Sequence, residues 1–246
     1  MGKLHVVLTG SSSGLGHAIL DTMKDVGQPM FHVTGIDLFK PIEPGLRQPD
    51  QFLQIDLGEP NEIARACERI GPVDILINCA GINRISPIED LTVMEWEDLM
   101  DVNAKALFLT VKNLLPRLAD SKGVILNVVS NAYKMPMTHS LAYNASKGAA
   151  EIMTRQMARE LTKSKGITVF GINPNKMAGT VMSEYIESRV PEMRGWTPEQ
   201  AKQYQLNGIT CGFETDPYWI AEMVVWLLSK PTRHQYLSGC MLDLGD

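Results

Sequence analysis

Cysteine is scarce in this sequence, and its cysteines stand far apart. Among 246 residues there are four, and none forms a Cys-x-x-Cys pair or a Cys/His cluster. Disulfide frameworks and zinc sites both depend on close, regular spacing of these ligands, so the pattern argues against either. We therefore expect a reduced, cytoplasmic protein without a bound metal.

Excess positive charge and long apolar runs are also missing. The chain has 23 lysines and arginines against 28 aspartates and glutamates, which gives a net charge of −5. Without a basic stripe, a nucleic-acid partner is not expected. The first apolar stretch covers only residues 5–8 before a polar loop, which is too short for a signal or membrane segment. We therefore expect no membrane partner.

What the sequence has is the composition and patterning of a globular α/β protein, with 44% hydrophobic and 21% charged residues. Predicted strands cover residues 3–9, 30–36, 51–55, 73–78, 123–129, 167–172 and 240–244. Predicted helices include residues 59–70, a long and bent stretch over 91–118, and one from Tyr143 onward. Prolines predict an irregular crossover between residues 37 and 51, at Pro41, Pro44 and Pro49. This alternation indicates one Rossmann-type domain over residues 1–246, with a doubly wound parallel sheet.

A glycine-rich loop joins the first strand to a helix that starts at His17. Its sequence is Gly10-Ser-Ser-Ser-Gly14-Leu-Gly16. Glycines between a strand and a helix let the backbone turn tightly and approach a pyrophosphate, whose charge is met by the unpaired N–H groups of the helix. The alternative is an ordinary loop. The strand before it and the helix after it favour a nucleotide-binding loop.

Asp37 stands at the end of the second predicted strand, about 20 residues beyond this loop. A carboxylate there can accept hydrogen bonds from both ribose hydroxyls of an adenosine, and it would repel a 2′-phosphate. The loop contains no Arg or Lys, and Leu38 follows Asp37. The pattern therefore favours NAD(H) over the phosphorylated cofactor, although a loop-capping role for Asp37 is the alternative.

Three polar side chains are predicted to meet beyond the fifth strand. Ser130 follows that buried strand, and Tyr143 and Lys147 lie four residues apart on one face of the next helix. A neighbouring ammonium favours the phenolate, so Lys147 would lower the pKa of Tyr143 and allow proton exchange with a substrate oxygen. Ser130 could hydrogen-bond the same oxygen. Taken alone, the Tyr-x-x-x-Lys spacing is more typical of a solvated helix face.

Together these residues resemble the short-chain dehydrogenase/reductase family over essentially the whole chain. The shared motifs, in family order and spacing, are Thr9-Gly10-x-x-x-Gly14-x-Gly16, Asp56, Asn78-x-Ala80-Gly81, Asn103, Ser130 and Tyr143-x-x-x-Lys147. The resemblance implies NAD(H)-dependent interconversion of a secondary alcohol and a ketone, with a small-molecule substrate and a homotetrameric assembly. It further implies cofactor contacts from Gly10, Ser12, Ser13, Gly14, Leu15, Gly16, Asp37, Asp56, Leu57, Asn78, Ala80, Gly81, Tyr143, Lys147, Pro174 and Thr180.

The resemblance also assigns catalytic roles. Tyr143 would be the general acid/base and Ser130 would polarise the substrate oxygen. Lys147 would bind the nicotinamide ribose, and Asn103 would hold a water that links Lys147 to solvent. The cofactor itself would carry the hydride.

Some positions depart from the family pattern. The family's Pro-Gly is Pro174-Asn175 here, and the terminal Asp-x-Gly-Gly is Asp243-Leu-Gly-Asp246. The threonine that usually contacts the cofactor's carboxamide is either Thr180, one position later than in the family, or is replaced by Gly179. Residues 78–84 also look like the matching turn of 3-oxoacyl-carrier-protein reductases, which remain an alternative. A non-catalytic NAD-sensing protein and an assembly-only subunit are alternatives of other classes.

Residues 178–215 interrupt the alternating pattern and form a predicted substrate lid. The stretch is longer than an ordinary connection, and it contains Met182, Tyr185, Met193 and Trp196. We expect some of these side chains to close over the cofactor and substrate, and the alternative is that they cover a neighbouring subunit. Arg194 and Lys176 would give the closed pocket a positive edge.

Overall fold

The computed structural model describes residues 2–25, 30–40 and 46–245, and its centre is one parallel sheet. Within these residues seven strands pair in the order β3-β2-β1-β4-β5-β6-β7. The strands are β1 (Leu4–Thr9), β2 (Phe31–Asp37), β3 (Gln51–Gln54), β4 (Ile75–Asn78), β5 (Val124–Val128), β6 (Thr168–Pro174) and β7 (Met241–Leu244). The predicted doubly wound parallel sheet is therefore confirmed. The expectations for Pro41, Pro44 and Asp246 lie outside the described residues.

Helices cover both faces of this sheet. They are α1 (Gly14–Asp25), α2 (Pro60–Glu68), α3 (Val93–Met100), α4 (Ala106–Ser121), α5 (Leu141–Lys165), α6 (Val181–Arg194), α7 (Pro198–Asn207), α8 (Pro217–Leu228) and α9 (Pro231–His234). On one face, α1 and α8 bury residues such as Ile19 and Val224 against the sheet. On the other, residues such as Leu114 of α4 and Leu161 of α5 do the same. The short apolar strands are covered on both sides, which explains their nearly continuous hydrophobic sequences.

The order of the strands reverses between β1 and β4, and this reversal positions the site. β1 pairs with β2 on one side and with β4 on the other, with Thr9 opposite Asn78. The connections from these strands leave on opposite faces, so a crevice opens at the carboxyl ends of β1 and β4. The glycine loop after Thr9 lies beside this crevice.

The predicted long helix over residues 91–118 is divided into segments. A capping box of Thr92 and Glu95 starts α3, and residues Asp101–Lys105 form one wide π-helical turn before α4 begins. Such turns insert an extra residue into the helix and often occur at functional sites. The bend that we expected is therefore present, and it contains Asn103.

The predicted lid, residues 178–215, is largely helical. The segment contains two helices, α6 and α7, and both begin with capping boxes, at Thr180 and Thr197. The Thr197 box has the usual sequence pattern, with Gln200 three residues later, whereas the Thr180 box pairs with Ser183 instead of Glu or Gln, so the sequence pattern did not reveal it. The two ends of the segment are held together where Ala178 N donates to Thr215 O at 3.0 Å.

Candidate active site

Two glycines of the loop, Gly10 and Gly16, approach their neighbours too closely to carry a side chain. A Cβ atom on Gly10 would lie 2.8 Å from Ala80 Cα, and one on Gly16 would lie 1.9 Å from Gly10 O. Gly10 also has φ of +71°, in the left-handed region that favours glycine. Helix α1 begins at Gly14, three residues earlier than predicted, so the loop itself forms the first turn of the helix. Its N–H groups are therefore directed at the crevice.

The loop has unused hydrogen-bonding groups that fit a phosphate-bearing cofactor. The hydroxyls of Ser11 and Ser12 are buried and have no hydrogen-bond partner among the described residues. Ser13 is exposed, whereas the Leu15 side chain packs in the core and leaves only its backbone for a cofactor. Buried hydroxyls without partners are costly unless a ligand satisfies them. The residues present therefore fit the predicted nucleotide site.

Asp37 lies directly beside this loop. It is the last residue of β2, and its Oδ2 accepts a hydrogen bond from Ser12 N at 2.9 Å. Its Oδ1 accepts from Leu38 N at 2.7 Å. The carboxylate thus faces the glycine loop and orders its backbone, and the predicted contact of Asp37 with a ribose stays a prediction.

Several predicted cofactor contacts line one pocket at the carboxyl ends of the strands. Leu57, Asn78, Ala80 and Asn103 share this pocket. Asp56 stands next to it, and its Oδ1 accepts from Gly58 N at 2.7 Å, which shapes the turn that presents Leu57. The structure therefore brings together residues that lie as much as 47 positions apart in the sequence, from Asp56 to Asn103.

The side chain of Asn78 belongs to a buried polar chain across the sheet. Its Nδ2 donates to Asn127 Oδ1 at 2.9 Å, and its Oδ1 accepts from Thr110 Oγ1 at 2.7 Å. Asn127 Nδ2 in turn donates to Thr154 Oγ1 at 2.9 Å. The amide of Asn78 is thus occupied by protein atoms, and a cofactor would meet its backbone. Sequence reasoning missed Asn127, Thr110 and Thr154 because each looks like an isolated polar residue in an apolar element.

Asn103 connects the π-helical turn to the end of β4. Its Oδ1 accepts from Ile82 N at 2.8 Å, and its Nδ2 donates to Ile82 O at 2.9 Å and to Ser146 Oγ at 3.0 Å. A Cβ on Gly81 would lie 3.3 Å from Asn103 Oδ1 and 3.4 Å from Lys147 Nζ. Asn103 therefore clamps the loop after Gly81 close to Lys147. Its predicted role in holding a water stays a prediction.

Ser130 and Tyr143 meet at the carboxyl end of β5. Tyr143 is 6% exposed and hydrogen-bonds with Ser130, whose Oγ also accepts from Ala132 N at 3.2 Å. Burial raises the pKa of Tyr143, and the hydrogen bond with Ser130 opposes that rise. The two hydroxyls thus lie side by side, where one substrate oxygen could contact both.

The expected effect of Lys147 on Tyr143 is not present in this structure. Lys147 Nζ lies 5.8 Å from the centre of the Tyr143 ring and donates to Val128 O at 3.3 Å. Burial of the phenol dominates, so the pKa of Tyr143 is raised rather than lowered. Burial also lowers the pKa of Lys147 to about 8, and the nearby Cys79 thiol partly opposes this change.

Thr180 and Pro174 lie on the far side of the glycine loop. Pro174 ends β6, and Thr180 begins α6 with its hydroxyl accepting from Ser183 N at 3.1 Å. The Thr180 Cβ lies 3.7 Å from the position of a Cβ on Gly14. The late threonine therefore still reaches the nucleotide loop.

Helix α6 contacts the surroundings of Tyr143 through side chains that were named for the predicted lid. Met182 packs with the apolar cluster that includes Tyr143 and Leu99. Tyr185 Oη accepts a hydrogen bond from Ile85 N at 3.3 Å, which joins the helix to the loop after β4. The contribution of that loop was missed, since only its turn at Gly81 had been assigned a role.

The predicted positive edge of the pocket was wrong. Lys176 Nζ pairs with Glu187 Oε1 at 2.7 Å and with Glu214 Oε1 at 2.6 Å. The Arg194 guanidinium lies 4.7 Å from the ring centres of both Trp196 and Tyr204. Lys176 is therefore paired with carboxylates of the lid, and Arg194 packs on aromatic rings within the lid.

Within residues 2–25, 30–40 and 46–245, every helix is too short or too polar to span a membrane. The same residues contain no group of three or more His, Cys, Asp and Glu side chains placed to hold a metal ion.

Comparison with known proteins gives matches over most of the chain. A family model described as short chain dehydrogenase matches residues 4–190. An uncharacterised oxidoreductase of Staphylococcus saprophyticus is 30% identical over 238 residues, which cover 92% of each chain. D-beta-hydroxybutyrate dehydrogenase of Rhizobium meliloti is 29% identical over 219 residues, which cover 79% of each chain. A solved structure of a variant actinorhodin polyketide ketoreductase with NADPH has a TM-score of 0.85 and 24% identity, and the match covers 98% of this chain and 95% of that one.

Proposed function

The chain belongs to the short-chain dehydrogenase family of oxidoreductases, and on this premise we propose that it interconverts a secondary alcohol and a ketone with NAD(H). One observation carries the proposal. The hydroxyls of Ser130 and Tyr143 are hydrogen-bonded to each other at the end of β5, with the Lys147 ammonium over the tyrosine ring.

The residues of this chain would handle the proton and the substrate oxygen. Tyr143 donates its proton to a carbonyl oxygen during reduction and takes one from the alcohol during oxidation. Ser130 donates a hydrogen bond to the same oxygen, which stabilises the charge that develops there. The Lys147 ammonium lies over the tyrosine ring, close enough to offset part of the negative charge that develops on the phenol and the substrate oxygen. A nicotinamide cofactor, when bound, supplies the hydride chemistry.

The cofactor would be held along the crevice from β2 to β6. The start of helix α1 and the hydroxyls of Ser11 and Ser12 suit a pyrophosphate, since these two hydroxyls have no partner among the described residues. Asp37 supports NAD(H) over NADP(H), because its carboxylate faces the loop where a 2′-phosphate would lie. The ketoreductase with a similar fold was solved with NADPH, so the choice in this chain depends on Asp37.

The surroundings of Tyr143 support a substrate with a compact apolar group. Leu99, Ala132, Ala142 and Met182 pack around the phenol and leave the hydroxyl of Ser130 as its polar neighbour. One relative is named as a hydroxybutyrate dehydrogenase, which makes short hydroxy acids reasonable first compounds to test. The reductase-like alternative would instead show activity on thioesters of 3-oxo acids.

The same proposal includes the setting of the enzyme. We propose one domain over residues 1–246, a cytoplasmic location and a homotetramer. Phe108 on α4 and Ile152 on α5 support the assembly, because these large apolar side chains are 43% and 60% exposed in the single chain.

The decisive experiment is a screen of secondary alcohols and hydroxy acids with NAD, followed by NADH absorbance. The Tyr143→Phe variant should retain cofactor binding and lose activity by about 100-fold or more, because positioned acid–base groups contribute that much. Absence of turnover with every compound, together with tight NADH binding, would favour a sensing protein. A Tyr143→Phe variant that keeps more than about a tenth of the activity would contradict the role of the tyrosine.

A further inference from the structure

A carboxylate on the last strand is connected to the turn that follows Ser130. Asp243 lies on β7 directly opposite Asn173 of β6. Its Oδ1 accepts from Asn173 Nδ2 at 2.8 Å, and its Oδ2 accepts from Lys134 Nζ at 2.8 Å. Asp243 therefore joins three neighbouring strand ends, those of β5, β6 and β7.

The turn between Ser130 and Lys134 is short and is anchored at a second point. Residues Asn131–Tyr133 form a single 3₁₀ turn. From the helix that holds Tyr143, Asn144 Nδ2 donates to Ala132 O at 2.7 Å and to Met135 O at 2.8 Å. The turn is thus fixed to α5 on one side and to β7 on the other.

We propose that Asp243 is a positioning residue that holds the turn after Ser130 in place, so that the serine hydroxyl stays aligned with Tyr143. The inference rests on the proposed roles of Ser130 and Tyr143. An ion pair between side chains that are 31% and 38% exposed adds little to global stability. Its contribution is geometric, because Asn173 is fully buried and fixes one carboxylate oxygen while the other holds Lys134.

The register of β6 and β7 explains why Asp243 can hold the turn after Ser130. Asn173 immediately precedes Pro174, which ends β6 at the predicted cofactor loop. The carboxyl group of Asp243 therefore fixes the spacing between that loop and the serine turn. A shift of the Ser130 hydroxyl by about 1 Å would slow the reaction, since misplacement of this size can lower a catalytic rate by as much as about 100-fold.

The test compares Asp243→Asn, Lys134→Met, the double variant and Lys134→Arg. We expect kcat to fall about tenfold in Asp243→Asn and in Lys134→Met, with KM for NAD changed less than about twofold. The double variant should be no worse than either single one, because both remove the same contact. Lys134→Arg should keep most of the activity, since a guanidinium also pairs with a carboxylate.

Hydrogen exchange supplies a readout that needs no substrate. The amides of residues 132–135 bond to Ser130 and Asn131 within the turn. These amides should exchange faster in Asp243→Asn than in the wild-type protein. The control is Arg47→Met, which removes surface ion pairs with Asp21, at 3.0 Å, and with Asp25, and this change should leave both readouts unaltered.

The outcomes separate this inference from the proposed function. A wild-type protein without turnover would refute the function, and the exchange rates would still decide whether Asp243 holds the turn. Unchanged exchange in Asp243→Asn would overturn the inference, as would unchanged kcat in an active enzyme. Additive losses in the double variant would overturn it as well, since they would show that the two residues act separately.

Discussion

The burial of Lys147 predicts that the proposed catalytic lysine destabilises the folded protein. Lys147 is 4% exposed, and burial lowers its pKa from 10.5 to about 8. Each pKa unit corresponds to about 1.4 kcal/mol, so the charged ammonium costs ~3 kcal/mol of folding free energy below pH 8. Replacing it with an apolar side chain of similar length should remove this cost.

The proposed change is Lys147→Met. At pH 7 we expect the variant to unfold with a free energy about 2–3 kcal/mol higher than the wild-type protein, less a small repacking loss. Activity should be lost at the same time, because Lys147 lies beside the proposed acid/base. A gain in stability with a loss of activity would identify the lysine as a residue kept for function.

The dependence on pH gives the sharper test. Between pH 8 and 10.5 the unfolded chain still holds the lysine proton while the folded protein releases it, so wild-type stability rises relative to the variant. The advantage of the variant should therefore be full below pH 8, shrink across this window and vanish near pH 10.5. Comparing the two proteins removes most of the opposite trend from Cys79, whose pKa burial raises to about 12 in the presence of Lys147.

Urea unfolding at pH 7, 8, 9 and 10, at one protein concentration and without cofactor, measures this difference. Lys105→Met is the control, because Lys105 is 40% exposed and pairs with Asp101 at 2.7 Å. The free energy of unfolding of Lys105→Met should stay within about 1 kcal/mol of the wild-type value at every pH. A Lys147→Met variant that is no more stable at pH 7, or whose advantage does not change with pH, would refute the reasoning.

Three other expectations can be checked with the same protein. Asp37→Ser should reduce the preference for NAD over NADP by about tenfold or more, because it removes the charge that repels a 2′-phosphate; equal kcat/KM ratios before and after the change would count against the assignment. Light scattering should give the mass of four chains, and Ile152→Asp should shift it downward, whereas a single-chain mass for the wild type would exclude the tetramer. Limited proteolysis of the free protein should cut between Arg194 and Phe213, where the helices of the lid end, and NAD with substrate should slow the cut. Equal rates with and without ligands would show that binding does not close this segment.

Local sequence determined most of the sheet and the order of its elements. The strands are short, apolar and β-branched, and the helices between them repeat apolar residues at helical spacing, so each element follows from its own residues. Gly16 is predictable for the same reason, since it packs on Gly10 O within the loop, whereas Gly10 lies against Ala80, which only the packing of β1 beside β4 brings there. The positions of Ser130, Tyr143 and Lys147 also follow from one strand end and one helix turn.

The uses of polar side chains were decided by the tertiary structure. Asn78 donates a hydrogen bond to Asn127, which lies on another strand, and Lys176 pairs with Glu214, which lies at the other end of the lid. Nothing in the residues around Asn78 or Lys176 indicates these partners, because the groups meet only when distant segments pack.

The sign of a pKa shift was likewise out of reach of the sequence. The Tyr-x-x-x-Lys spacing places Tyr143 and Lys147 on one helix face, but it does not say how much water reaches them. In the folded chain both are buried, so desolvation sets the direction of both pKa shifts and outweighs the hydrogen bond from Ser130 at Tyr143 and the opposing effect of Cys79 at Lys147. The sequence thus determined which groups come together, and only the surrounding packing decided their charge.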